Sequence, residues 1–92
     1  MLTAIVLLNA KVDQIPEVAA ALANLDGVDT VYSVTGDVDL IALVRVRHHD
    51  ELALVVSDQI GKVPGVTHMR THIAFRSFSR ADLEEAFHLG LD

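Results

Sequence analysis

Residues 28–47 read VDTVYSVTGDVDLIALVRVR. β-Branched and aromatic residues fill both ends, and Gly36-Asp37 lies between them. Strand-forming runs on either side of a residue pair that accepts positive φ predict an antiparallel hairpin. Its strands are expected over Val28–Thr35 and Val38–Arg47, with a tight turn at Gly36-Asp37. Period-two alternation in the second strand sends Val38, Leu40, Ala42, Val44 and Val46 to one face. Asp39, Ile41, Leu43, Arg45 and Arg47 go to the other. Ile41 and Leu43 make that second face apolar too, so a layer is expected on each side of the sheet.

Working outward, Leu2–Asn9 (LTAIVLLN) is another apolar run of strand length, again two-sided: Leu2, Ala4, Val6 and Leu8 against Ile5 and Leu7. Asp13 is placed to cap a helix, with Pro16 and Glu17 in its first turn. Ile15, Val18, Leu22 and Leu25 repeat at helical spacing, and Asp26-Gly27 forms the stop. Asp50 is the next expected cap. Leu52, Val55, Val56, Gln59 and Ile60 form one helical side that ends near Gly61. Val66–Phe75 reads as a fourth strand. A short helix from Ser79, with Leu83, Ala86 and Phe87 as its apolar face and Gly90 as its stop, completes the chain.

The order is βαββαβ plus a terminal helix. It predicts an α+β, ferredoxin-like fold: a four-stranded antiparallel sheet, two helices on one face, and dimeric α+β-barrel assembly. Residues 1–78 would form the ligand-binding and oligomerisation domain and 79–92 the C-terminal helix and tail. A weak internal repeat agrees. Leu25-Asp26-Gly27-Val28 recurs as Val63-Pro64-Gly65-Val66 at an offset of 63 − 25 = 38 residues. With helices on one face only, an apolar second face calls for a partner's sheet, because so large an open patch is unusual on a monomer. A homo-oligomer is therefore expected.

Composition narrows the function. The net charge of −6 disfavours direct binding to nucleic acid or an anionic membrane, since neutralising phosphates needs a basic surface. No apolar stretch approaches the roughly 20 residues of a membrane span, and no basic leader precedes the first strand. With no cysteine, disulfides and thiol chemistry are excluded. A cytoplasmic protein without a resident cofactor is the expectation.

Thr35-Gly36-Asp37-Val38-Asp39 is the segment richest in binding chemistry. Its carboxylates can pair with an ammonium, and glycine leaves backbone N–H groups open to a carboxylate. That pairing suits a zwitterionic amino acid, although an ordinary turn with solvated aspartates would have the same sequence. His68 and His72 have the spacing that binds zinc on a helix. On a strand they stand roughly 13 Å apart, too far to share one ion. His68, Arg70, His72 and Arg76 share one side of the last strand, expected to be an interface or a solvated edge. No serine lies in a nucleophile elbow and no glycine-rich phosphate loop occurs. The third strand lacks the stacking aromatics of an RNA-recognition domain.

The element order, the Gly-Asp-Val-Asp-Leu turn at 36–40 and Gly65-Val66 followed by Arg70-Thr71-His72-Ile73 resemble the effector-binding domain of the Lrp/AsnC transcriptional regulators. This is the domain of regulation of amino-acid metabolism. The resemblance covers about residues 2–76. It implies a ferredoxin-like dimer joined through its sheets, and rings of such dimers. It also implies a small-molecule effector, an amino acid or related metabolite, bound between dimers around Thr35, Gly36, Asp37, Val38 and Asp39. Thr71 falls at the family's recurrent threonine on the last strand, whereas Met69 departs from a small polar residue. The family's helix-turn-helix domain has no counterpart before residue 2. The expected protein is thus a stand-alone, non-enzymatic sensor that can join a full-length Lrp/AsnC regulator in a mixed oligomer. Three alternatives stay open. One is a small dimeric α+β-barrel monooxygenase or isomerase with a His or Arg in a pocket between sheet and helices. The others are an ACT-type domain, though Asn9-Ala10-Lys11-Val12 lacks that type's glycine, and an oligomerisation module without ligand.

Overall fold

The computed structural model describes residues 1–81 and 84. The elements are β1 (Leu2–Ala10), α1 (Ile15–Ala23), β2 (Val28–Ser33), β3 (Leu40–Val46), α2 (His49–Ala53) and β4 (Val66–Ala74). A 3-10 turn, Val12–Gln14, precedes α1. α2 runs on as a π-helical segment, Leu54–Gln59, and a 3-10 turn, Ile60–Lys62. The sheet is antiparallel throughout, in the order β2-β3-β1-β4. This is the expected ferredoxin-like α+β fold.

β1 pairs with β3 from Leu2↔Val46 to Leu8↔Leu40 and with β4 from Thr3↔Ala74 to Ala10↔Val66. That register sorts the side chains. Ala4, Val6 and Leu8 of β1 and Leu40, Ala42 and Val44 of β3 are fully buried under the helices. Val18 and Leu22 of α1, with Leu52, Val55, Val56 and Ile60 from the α2 arm, close that core. The opposite face carries Ile5 and Leu7, level with Leu43 and Ile41, and all four stay half-exposed in the single chain. Arg70 and His72 of β4 flank them, opposite Leu7 and Ile5. The apolar second face is therefore present, bordered by the basic side of β4. Among the described residues no helix is long and apolar enough to cross a membrane.

Several local expectations change. Asp13 caps nothing: it lies inside the 3-10 turn, and Gln14 holds the cap position of α1 without a side-chain bond. Asp50 is likewise in the first turn of α2, whose cap residue is His48. There the His48 carbonyl accepts the N–H groups of Glu51 (3.1 Å) and Leu52 (3.2 Å). α1 ends at Ala23, before Asp26-Gly27. Val55 and Val56, adjacent on the π-helical segment, are both buried. The helix expected from Ser79 lies largely outside the described residues, and Leu83, Ala86, Phe87 and Gly90 with it.

The 38-residue repeat has a structural basis. Gly27 and Gly65 both have positive φ, +90° and +99°. Each sits against the helix of the other half. A Cβ on Gly27 would lie 2.9 Å from Val55 Cγ2, and one on Gly65 2.6 Å from Val18 Cγ2. Each glycine carbonyl accepts an N–H from the other half: Arg45 to Gly27 at 2.8 Å, Lys11 to Gly65 at 2.9 Å. Only glycine meets both demands.

Gly36 makes a control, since its φ is +112° but a Cβ there meets nothing within 4 Å. Gly36→Ala should cost only the backbone strain, about 1–3 kcal/mol. Gly65→Ala should add an overpacking cost of about 1–3 kcal/mol. Urea unfolding of both variants at one protein concentration checks the difference; equal midpoints would refute the interlock.

Candidate functional site

The segment 34–39 joins β2 to β3 at the end of the sheet where β1 finishes. Ser33 pairs with Leu40, and the Val34 N–H donates to the Asp39 carbonyl at 3.1 Å. Four residues, Thr35 to Val38, therefore span the turn, and β3 starts at Leu40 rather than Val38. The two-residue hairpin expected at Gly36-Asp37 does not form, although Gly36 does supply the positive φ.

The reason is that Asp39 is held by β1. Its N–H donates to the Leu8 carbonyl at 2.9 Å. Its Oδ2 accepts the Ala10 N–H at 2.9 Å and, more distantly, Asn9 Nδ2 at 3.5 Å. Asn9 Nδ2 also donates to the Asp37 carbonyl at 3.0 Å. The loop is thus bound from behind by main-chain and side-chain groups at the end of β1.

These bonds separate two roles. Asp39 is half-buried, and one carboxylate oxygen is occupied by the fold. It positions the loop. Thr35, Gly36 and Asp37 are exposed, and Val38 is half-buried beside them. The face beyond Gly36 is open, so a ligand could approach the backbone there. Asp37 directs only its carbonyl to Asn9, which leaves its carboxylate available to a cation. Asn9 is a residue that inspection of the turn alone overlooks. The available signal was an amide side chain closing an otherwise apolar strand, a residue type that habitually bonds nearby backbone.

Thr71 stands apart. It lies opposite Val6 on the helix side of β4 and is exposed. Strand spacing and rise place it about 14 Å from Asp39, across β1. One chain does not bring Thr71 and the loop together. Met69, opposite Leu8, packs against the core instead of lining a polar site. His68 and His72 fall opposite Asn9 and Ile5.

The profile of the Lrp/AsnC ligand binding domain matches residues 3–83. The chain belongs to the Lrp/AsnC family. The HTH-type transcriptional regulator FL11 of Pyrococcus abyssi is 32% identical over 74 residues, which are 80% of this chain and 48% of that protein. The chain thus spans about half the length of the curated relatives it matches. TTHA0845 of Thermus thermophilus superposes with a TM-score of 0.81 at 41% identity, covering 87% of this chain and all of that one. A feast or famine regulatory protein of Mycobacterium tuberculosis, solved with L-methionine, is 26% identical with a TM-score of 0.69, over 86% of this chain and 53% of its own.

If Asp39 is a positioning residue, its loss should be felt in the fold. Asp39→Ala should destabilise by about 1.5–3 kcal/mol, the range for a hydrogen bond to a charged group. Asn9→Ala should cost about 1 kcal/mol, and the double variant less than the sum, because both act on one loop. Chemical denaturation of the three variants tests this; full additivity would show that the two residues act separately.

Proposed function

We propose that this Lrp/AsnC domain is an oligomeric sensor of an amino acid or related small metabolite. It would pass occupancy on to a transcriptional or metabolic response without contacting DNA itself. The observation that carries the proposal is the Thr35–Asp39 loop, braced from behind by Asn9 and Ala10 and bare in front at Gly36 and Asp37. A braced loop loses little entropy on binding, which favours a small ligand. In this scheme the Asp37 carboxylate takes the ammonium group and backbone N–H groups around Gly36 take the carboxylate. Thr71 and the loop are far apart in one chain, so a site using both takes Thr71 from another subunit.

The half-exposed Ile5, Leu7, Ile41 and Leu43 support a dimer in which two sheets pack face to face, with rings of dimers as the next level. Family membership and the methionine complex of the mycobacterial relative support the ligand class. A full-length Lrp/AsnC regulator is the natural partner for a mixed oligomer, since it would share the same domain. The enzyme alternative needs a hollow with a His or Arg between sheet and helices. That space is filled by Val6, Leu8, Leu22, Leu40 and Val44, each fully buried.

A thermal-shift screen of the proteinogenic amino acids, methionine included, is the direct test. A ligand at one hundred times its Kd stabilises by about 2.7 kcal/mol, and each kcal/mol raises Tm by about 4–8 °C in a domain this size. Asp37→Asn should abolish the shift while changing the unliganded Tm by no more than about 2–4 °C, since a surface change costs under roughly 0.5 kcal/mol. Thr71→Val should weaken it. No shift with any amino acid or close metabolite would overturn the proposal.

A further inference from the structure

The chain leaves β4 with two aromatic side chains in the open. Phe75 is 98% and Phe78 is 72% exposed, although the protein has only three phenylalanines. Single exposed apolar residues are ordinary. Two large rings on one four-residue segment are not, because each could remove about 150–250 Å² from water. The same segment lines a recess of about 440 Å³, with Phe75 and Arg76 in its wall beside Thr3, Arg45 and Ala74. Thr3 pairs with both Arg45 and Ala74, so this recess lies at one corner of the uncovered sheet face, beside the half-exposed Ile5 and Leu43. An apolar arm and a cavity with two guanidinium groups thus occupy the same edge of the same face.

We propose that the Phe75–Phe78 arm docks on a second copy of this chain: Phe78 enters the Thr3–Arg45–Ala74 recess of the other copy and Phe75 closes over its rim. The inference rests on the sheet-to-sheet dimer proposed above and names its anchor. Three observations commit the occupant to a second copy. Arm and recess lie on one surface, so a two-fold axis satisfies both copies at once. The recess chemistry also fits, because Arg45 and Arg76 can lie over an aromatic face. Area supplies the third. Strand spacing and rise make the paired face roughly 19 by 24 Å, or about 450 Å². A stable interface needs about 800 Å² per partner. Two phenylalanines contribute about 300–500 Å², which makes up the difference.

The test is a dilution series in the analytical ultracentrifuge, with full-length wild type, Phe78→Ser, Phe75→Ser and Leu43→Glu. Leu43→Glu should be monomeric. Phe78→Ser should raise the dimer Kd at least about 30-fold, as for an interface hot spot, with unchanged far-UV circular dichroism. Phe78→Trp would introduce the chain's sole tryptophan. Its emission should be blue-shifted in the dimer, move red on dilution, and stay red in the Leu43→Glu background. If both serine variants dimerise as tightly as wild type while Leu43→Glu does not, the docked arm is refuted and the sheet dimer stands. If wild type is monomeric at every concentration, both fail.

Discussion

β1 is hydrogen-bonded along both edges, to β3 and to β4, and carries aliphatic side chains on both faces. A strand in that position cannot be left half in water without cost, since buried apolar area is the main favourable contribution to folding. The helices cover one face completely: Ala4, Val6 and Leu8 have no exposed surface. The other face, with Ile5 and Leu7, has no layer of its own among the described residues. The two-sidedness of β1 is the physical reason for the proposed assembly, and the basic row of β4 borders that face.

The same strand also organises the candidate site. Leu8 and Ala10 bond Asp39 through their main chains, and Asn9 reaches Asp37 and Asp39 with its amide. The turn that could hold a ligand is therefore an extension of the sheet's central strand. A ligand at Gly36 and Asp37 would press on groups fixed to β1, the strand whose outer face is offered to a partner. Binding and association would be linked through one element, which is a physical basis for a sensor whose output is a change in assembly. Lrp/AsnC membership makes that linkage a sensible one to seek.

Much of this was legible from residue order. Period-two alternation in 40–46 and 2–8 identified the strands and both of their faces, because side chains on a strand must alternate. Gly27 and Gly36 marked places of positive φ, because no other residue takes that conformation cheaply. Caps were less legible: Asp13 and Asp50 are good cap residues by type, yet Gln14 and His48 stand at the cap positions. Helix starts are settled by where the preceding strand delivers the chain, and side-chain preference is worth only about a kcal/mol against that. The tight hairpin at Gly36-Asp37 failed for a related reason. A bond from Ala10, 29 residues away in sequence, ties the Asp39 side chain to the end of β1.

What the sequence determined alone was the four strands and two helices, their order and the two apolar faces of the central strands, which follow from local periodicity and backbone preference, and the family, which its motifs resemble. What only the tertiary structure decided was the division of labour within the loop. The local pattern Gly-Asp-Val-Asp offers two equivalent carboxylates. Contact with Ala10 and Asn9 engages Asp39 in the fold and leaves the side chain of Asp37 facing outward. The separation of Thr71 from that loop, and the meeting of the Phe75–Phe78 arm with Arg45 at one corner of the sheet, are likewise products of strand order. Such long-range pairings bring together residues whose positions in the chain say nothing of their proximity.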